Sequence, residues 1–457
     1  MIKKFRHLLK SDIHFKELLH GSIKSFGVKL FGTFLGFIAT IITTRYYGAD
    51  ALGVASLVFV ILNFVNIIGK VGLETASLKY VAQYHSQNKP ELVKETYLKA
   101  LVVIISVSIP LGIILYFIAP LLANNVFHKP YIEEFIRTQG FLVTPLAITY
   151  LNFECLRGLK RVGTFMFFNS VSLYLFSSVI MLIVLFYYGG KFIPLVHCNS
   201  MAVMAQNLAV FITFVLSMIA WLRASNFFKV KVGHVIPYSE LLNVAMPMLL
   251  ASSIFFIQNW TATFFLGIYW KDVDVGVFNT IQRVSSISSI FLLAINSISA
   301  PKFSELYTKG DTPGLQRFVT KSTQMIFFSS LPVLLAFCAF PEFILRFFGK
   351  AFIIGSLPLI IMTVGQFLGI IAGSVGYLLI MTGHQKIYQR IILFTSLMNI
   401  LLCAVLIPTF GVLGAAISNA VTVTLWNFMA VIAIKKKLNI LSIYFPGITN
   451  LINRFSR

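Results

Sequence analysis

Acidic side chains are scarce in this sequence: 15 Asp and Glu stand against 37 Lys and Arg, and charged residues make up only 11% of 457. A soluble domain carries about a quarter charged residues, so a water-soluble globule is excluded. Cysteine is also sparse. Cys155, Cys198, Cys338 and Cys403 are far apart and mostly inside apolar runs, which excludes a disulfide framework and a thiolate metal site. No G-x-x-x-x-G-K-[ST] loop occurs, so ATP hydrolysis by this chain does not power its work. No His, Cys, Asp and Glu cluster has metal-ligand spacing, and no cofactor is expected. The basic residues 1–24 lack an Ala-x-Ala-like cleavage site and read as a retained arm, not a removed signal peptide.

What the chain has is apolar length: 58% of it is hydrophobic. Apolar runs lie near 30–47, 51–69, 100–119, 139–156, 164–188, 202–222, 241–268, 275–297, 322–341, 356–381, 391–408 and 412–434. Each is long enough to cross roughly 30 Å of hydrocarbon. The fold class is therefore all-α integral membrane, with twelve transmembrane helices. A net charge of +22 would point to nucleic acid in a soluble protein. Here positive residues instead sort by side. Of the 37 Lys and Arg, 29 fall in the arm, the tail and alternate loops, and seven fall on the opposite side. That asymmetry places both termini in the cytoplasm, and leaves Arg283 alone inside a span.

The sequence also repeats. A shift of 223 positions carries Tyr46 to Tyr269, Gly53 to Gly276, Lys79 to Lys302, Tyr84 to Tyr307 and Pro90 to Pro313. The halves are 1–235, a six-helix lobe with a basic cytoplasmic arm, and 236–457, a six-helix lobe with a basic cytoplasmic tail. Six is even, so the repeat is parallel, and a substrate cavity is expected between the lobes.

Arg283 lies eight residues into the eighth span, roughly 12 Å deep at 1.5 Å per residue. An Arg facing lipid costs at least about 2.5–3.5 kcal/mol, so it faces either a wet cavity or, by snorkelling, the outer headgroups. Its span is the most polar, with Gln282, Ser285, Ser286, Ser289, Asn296 and Ser299. Lys29 and Arg45 bracket the first span. They serve as interfacial anchors or, with Arg283, as ligands of a pyrophosphate, which a guanidinium fork pairs bidentately. Glu154 and Arg157 have i, i+3 spacing, which fits a local ion pair; ion coupling through Glu154 is the alternative. Gln258, Asn259 and Trp260, with Gln282, suit sugar hydroxyls, and equally suit interhelical hydrogen bonding. Gly32 and Gly36, and Gly365, Gly369 and Gly373, mark close helix packing.

Several stretches carry a family resemblance. Thr44-Arg45-Tyr46-Tyr47-Gly48-Ala49-Asp50-Ala51-Leu52-Gly53 resembles the A-R-x-L-G-x-x-x-Y-G stretch of the polysaccharide-transporter (Wzx-type) branch of the multidrug/oligosaccharidyl-lipid/polysaccharide exporter superfamily. Cys155-Leu156-Arg157-Gly158-Leu159 is similar to that family's inner turn after helix four. Ile407-Pro408-Thr409-Phe410-Gly411-Val412-Leu413-Gly414-Ala415-Ala416 is similar to its I-P-x-x-G-x-x-G-A-A stretch. The resemblance implies a MATE-like fold of two six-helix lobes around a cationic cavity. It also implies alternating access that turns an undecaprenyl-pyrophosphate-linked oligosaccharide from the inner to the outer leaflet of the bacterial inner membrane, for surface polysaccharides such as O-antigen. Ala262, between Thr261 and Thr263, stands where many relatives carry an acid in helix seven, a departure that counts against cation coupling there.

The expected function is a lipid-linked oligosaccharide flippase, not an enzyme. The alternatives are a multidrug/cation antiporter of the same fold and a membrane glycan polymerase or ligase, which the short outer connections disfavour. Expected partners are lipid-linked oligosaccharide, membrane lipids, and the polymerase and glycosyltransferases of polysaccharide synthesis. Nucleic acid is not among them, and the chain is expected to act as a monomer.

Overall fold

The computed structural model describes residues 13–187, 195–233 and 237–446, and every regular element among them is helical. Nine described helices are long and apolar enough to cross a membrane. The number is ten if Val162–Ser170 (α6) and Ser172–Tyr187 (α7), bent by 48° at their junction, form one span. The predicted junction of the halves at 235–236, Lys191 and residues 1–12 of the basic arm lie outside the described residues. By packing, the chain divides into two compact units, Met1–Gly276 and Val277–Arg457.

The first unit is built on Glu133–Gly158 (α5), which carries the predicted span 139–156. Its residues Leu146–Thr149, Leu151–Phe153, Cys155 and Leu156 are all buried, so the helix meets protein nearly all round and needs little apolarity to suit lipid. Around it pack Ala49–Lys70 (α2), Leu73–Ser86 (α3), Pro90–Leu121 (α4) and Leu195–Ala224 (α8). Buried amides and hydroxyls tie these helices together. Tyr97 donates to Asn152 Oδ1 at 2.8 Å, Asn152 Nδ2 to Ser217 Oγ at 3.1 Å, and Asn66 Nδ2 to the Val143 carbonyl at 3.0 Å. Gly112 and Gly140 let α4 and α5 touch: a Cβ on Gly112 would meet the Gly140 carbonyl oxygen at 2.4 Å. Ile13–Ile42 (α1) lies on α6 and α7, and Tyr238–Tyr269 (α9) lies along α2 and α3. The contacts of α9 run from Phe256 on Phe64 and Trp260 on Phe59 to Gly267 on Leu57.

The second unit carries breaks inside its spans. Asp272–Ser285 (α10, whose first residues belong to the first unit) gives way at a 3-10 turn, Ser286–Ser289, before Ile290–Thr308 (α11). Thr312–Ala339 (α12) and Pro341–Arg346 (α13) follow. Ser356–Ala372 (α14) stops at Gly373, whose φ of 79° ends the helix before Val375–Met381 (α15). Gly365, Gly369 and Gly373 act as the sequence predicts, packing against Ala420, Asn427 and Thr323, and Gly373 turns the chain as well. Gln385–Leu438 (α16) is two helices folded back on each other, so that Asn399 Nδ2 donates to Thr422 Oγ1 at 3.3 Å although 23 positions separate them. Gly411, at φ 54° and ψ −127°, interrupts it, between the two predicted runs. Beyond α16 an extended strap returns along the unit. Gln316 of α12 pairs with both backbone groups of Leu441 at 2.8 Å, and the Tyr444 amide donates to the Ile371 carbonyl at 3.1 Å beside the Gly373 break.

Candidate functional site

The break after α10 is made by serines. Ser285 Oγ donates to the Gln282 carbonyl at 3.1 Å, Ser286 Oγ to the Arg283 carbonyl at 2.7 Å, and Ser288 Oγ to the Ser285 carbonyl at 2.6 Å. Such bonds to i−3 carbonyls compete with the helix ladder, and the backbone tightens to 3-10 geometry. Ser330 Oγ of α12 donates to the Ser288 carbonyl at 3.3 Å, and Ser289 Oγ donates to Gln366 Oε1 of α14 at 3.3 Å. Arg283 therefore sits half-buried in the last turn of a helix that ends within a span, where a cation also suits the carbonyl end of the helix dipole. Gln282 beside it is half-buried as well.

The other predicted residues lie in the first unit. Lys29 is exposed on α1. Arg45 is exposed on a five-residue π-helical stretch, Thr43–Tyr47, a distortion that often marks functional positions. The stretch is pinned to α7 by the Tyr47 hydroxyl, which donates to the Met181 carbonyl at 2.7 Å. Lys29 and Arg45 are separated by roughly 24 Å of helix, so one diphosphate cannot touch both. Gln258, Asn259 and Trp260 are half-buried on α9. The Asn259 amide donates to the Phe255 carbonyl of its own helix at 2.8 Å, and Trp260 stacks on Phe256 and meets Phe59 edge-on. Glu154 accepts from Arg157 at 3.3 Å.

The first unit also holds two buried ion pairs that the sequence alone does not single out. Lys129 Nζ lies 2.7 Å from Asp272 Oδ1, with both residues buried, and the Tyr131 hydroxyl donates to Asp272 Oδ2. Burial, then the hydrogen bond to Asp272, raises the Tyr131 hydroxyl above its ordinary range. Gly53 makes room for this corner, since a Cβ there would fall 1.8 Å from the Asp272 carbonyl oxygen. No spacing in the sequence points from Lys129 to Asp272. The second pair, Lys70 with Glu74, has i, i+4 spacing and is visible in the sequence, where loop-charge counting absorbs it.

Chemically, these arrangements supply cations and hydrogen bonds but no nucleophile paired with a base. Residues 18–307 match the family described as polysaccharide biosynthesis protein. The chain is 23% identical over 412 residues to the "Probable low-salt glycan biosynthesis flippase Agl15" of Haloferax volcanii, covering 89% of this chain and 81% of that protein. Among solved structures it resembles the lipid II flippase MurJ in an inward closed conformation, with a TM-score of 0.72, 15% identity, and 90% and 87% of the two chains covered. It also resembles an inward-facing multidrug resistance MATE family transporter of the MOP superfamily, with a TM-score of 0.68, 17% identity, and 91% and 99% covered.

Proposed function

The chain belongs to the polysaccharide biosynthesis protein family, and on that premise we propose that it flips an undecaprenyl-pyrophosphate-linked oligosaccharide from the inner to the outer leaflet of a bacterial inner membrane. The observation that carries this reading is Arg283, half-buried at a serine-built helix break inside an apolar span. A diphosphate cannot enter hydrocarbon unaided, because desolvating its charge is prohibitive. An arginine held at depth offsets that cost and grips phosphate through its planar fork. The polyprenyl tail stays in lipid throughout.

The architecture we propose is twelve spans in two six-helix lobes, 1–235 and 236–457, working by alternating access with both termini cytoplasmic. Two features support that count beyond the ten helical spans recognised by apolarity. Gly411 divides α16 into two lengths, and α5, with 26 residues, reaches about 39 Å. Lys29, midway along α1, and Arg45, on the π-helical stretch that follows it, serve successive positions of the headgroup in this scheme, and Gln258, Asn259, Trp260 and Gln282 face its sugars.

The test is to delete the gene and follow the lipid-linked glycan by mass spectrometry with leaflet-selective labelling. The expected result is glycan retained on the cytoplasmic leaflet and loss of the surface polysaccharide. Normal surface polysaccharide in the deletion strain would overturn the reading.

A further inference from the structure

We infer that the strap Asn439–Pro446 is a latch: docked, it fixes the break between α14 and α15 against α12, and it must undock for that break to move. Only the use of this movement in flipping rests on the transport reading. Lys435, Lys436 and Lys437 end α16 as exposed cations, as suits the headgroup level. Asn439, at φ 54°, then reverses the chain, a left-handed position that asparagine tolerates. Past it the strap runs inward along α12. Leu441 lies at Gln316, while the Tyr444 ring centre lies 5.7 Å from that of Phe327 and 6.1 Å from that of Phe328. Phe327 is about 9 Å beyond Lys321, the last charged residue of α12. Extended backbone therefore enters the apolar span.

At that depth, backbone without helical partners is tolerated only where protein or water satisfies it. The strap meets this demand in part. The Gln316 side chain takes both backbone groups of Leu441 at 2.8 Å, in the manner of a neighbouring strand. The Tyr444 amide donates to the Ile371 carbonyl at 3.1 Å. That carbonyl is open because the chain turns at Gly373. The Val375 amide, its partner in an unbroken helix, bonds the Gly373 carbonyl instead, at 2.9 Å. Gly373 in turn rests on Thr323 of α12, one turn before Phe327. Strap, break and α12 share one joint. Between its anchors at Leu441 and Tyr444 the strap is poorly held. The backbone of Ser442 and of Ile443 has no hydrogen bond to any described residue, and the buried Ser442 hydroxyl has no partner among them. Unpaired polar groups oppose burial, so this stretch favours release and the two anchors hold it. On release the Ile371 carbonyl loses its cap, and the break is free to change its angle.

The test is amide hydrogen exchange on the full chain in lipid nanodiscs. In the wild type, residues 441–445 and 371–377 are expected to exchange together, as one opening. Gln316→Ala removes both Leu441 bonds and raises exchange in both segments by roughly tenfold or more, while 391–407 of α16 keeps its wild-type rate. If Gln316→Ala does not fold, Gln316→Glu keeps the acceptor for the Leu441 amide and gives a smaller rise. Exchange that rises at 441–445 and stays at the wild-type level over 371–377 overturns the latch. For its use, Gln316→Cys and Leu441→Cys are joined by a short reversible thiol cross-linker, and flipping of a fluorescent polyprenyl-diphosphate glycan is followed in vesicles. The linked protein is expected to flip roughly tenfold or more slowly than the same protein after reduction. Equal rates overturn the requirement for undocking. Coupled exchange, with no flipping by the wild type or by the reduced protein, supports the latch and counts against the transport reading.

Discussion

Replacing Arg283 with Glu is expected to cut outer-leaflet delivery of lipid-linked glycan by roughly 100-fold or more. A hydrogen bond to a charged group contributes about 1.5–3 kcal/mol, and each 1.4 kcal/mol is about tenfold, so losing the phosphate contact alone approaches that figure. Repulsion between Glu and phosphate adds to it. Arg283→Lys keeps the charge without the fork and is expected to retain about a tenth of the rate. The serines fix why the position matters: Ser285, Ser286 and Ser288 each bond a carbonyl three residues back, so the helix stops at Ser285, with Arg283 in its last turn. Leaflet-selective labelling in membranes checks the result, with protein amounts matched between variants. Wild-type delivery by Arg283→Glu would remove Arg283 from the site.

The second large effect is on stability. Lys129→Met strands the Asp272 carboxylate in a buried corner with only the Tyr131 hydroxyl to answer it. Removing one partner of a buried pair costs about 3–5 kcal/mol. The double variant Lys129→Met, Asp272→Asn removes the stranded charge and is expected to recover more than half of that loss. Denaturant unfolding of the four members of the cycle measures it. A double variant as unstable as Lys129→Met alone would show that the corner depends on packing around Gly53 and not on the charge pair.

The apolar runs were legible because hydrocarbon demands apolar length, and among the described residues they fall on helices, with a break inside one run at Gly373. Helix α5 was the hardest to read. It is held by protein nearly all round, so its sequence carries Gln139, Thr149 and Asn152, all buried, which interrupt its apolar run. The breaks were half legible. Ser285, Ser286 and Ser289 stood out as polarity, but bonds to i−3 carbonyls are a matter of geometry. Gly373 reads as a packing residue and is one, against Thr323; that it also ends the helix was not legible, because one residue type serves both roles. Lys129 and Asp272 are 143 positions apart, and such a meeting depends on how three loops converge. Lys70 and Glu74 were in plain view; their burial was not, since it depends on Tyr150 arriving from α5.

The central claim is that this chain moves a charged glycan headgroup across a bilayer, and the most direct measurement is reconstitution. Purified protein is placed in sealed vesicles holding a fluorescent polyprenyl-diphosphate glycan in both leaflets, and a membrane-impermeant quencher is added outside. The account predicts that nearly all of the label becomes quenchable with the wild type, and only the outer-leaflet share with Arg283→Glu. Quenching confined to the outer leaflet in both, with folded protein present, would contradict it.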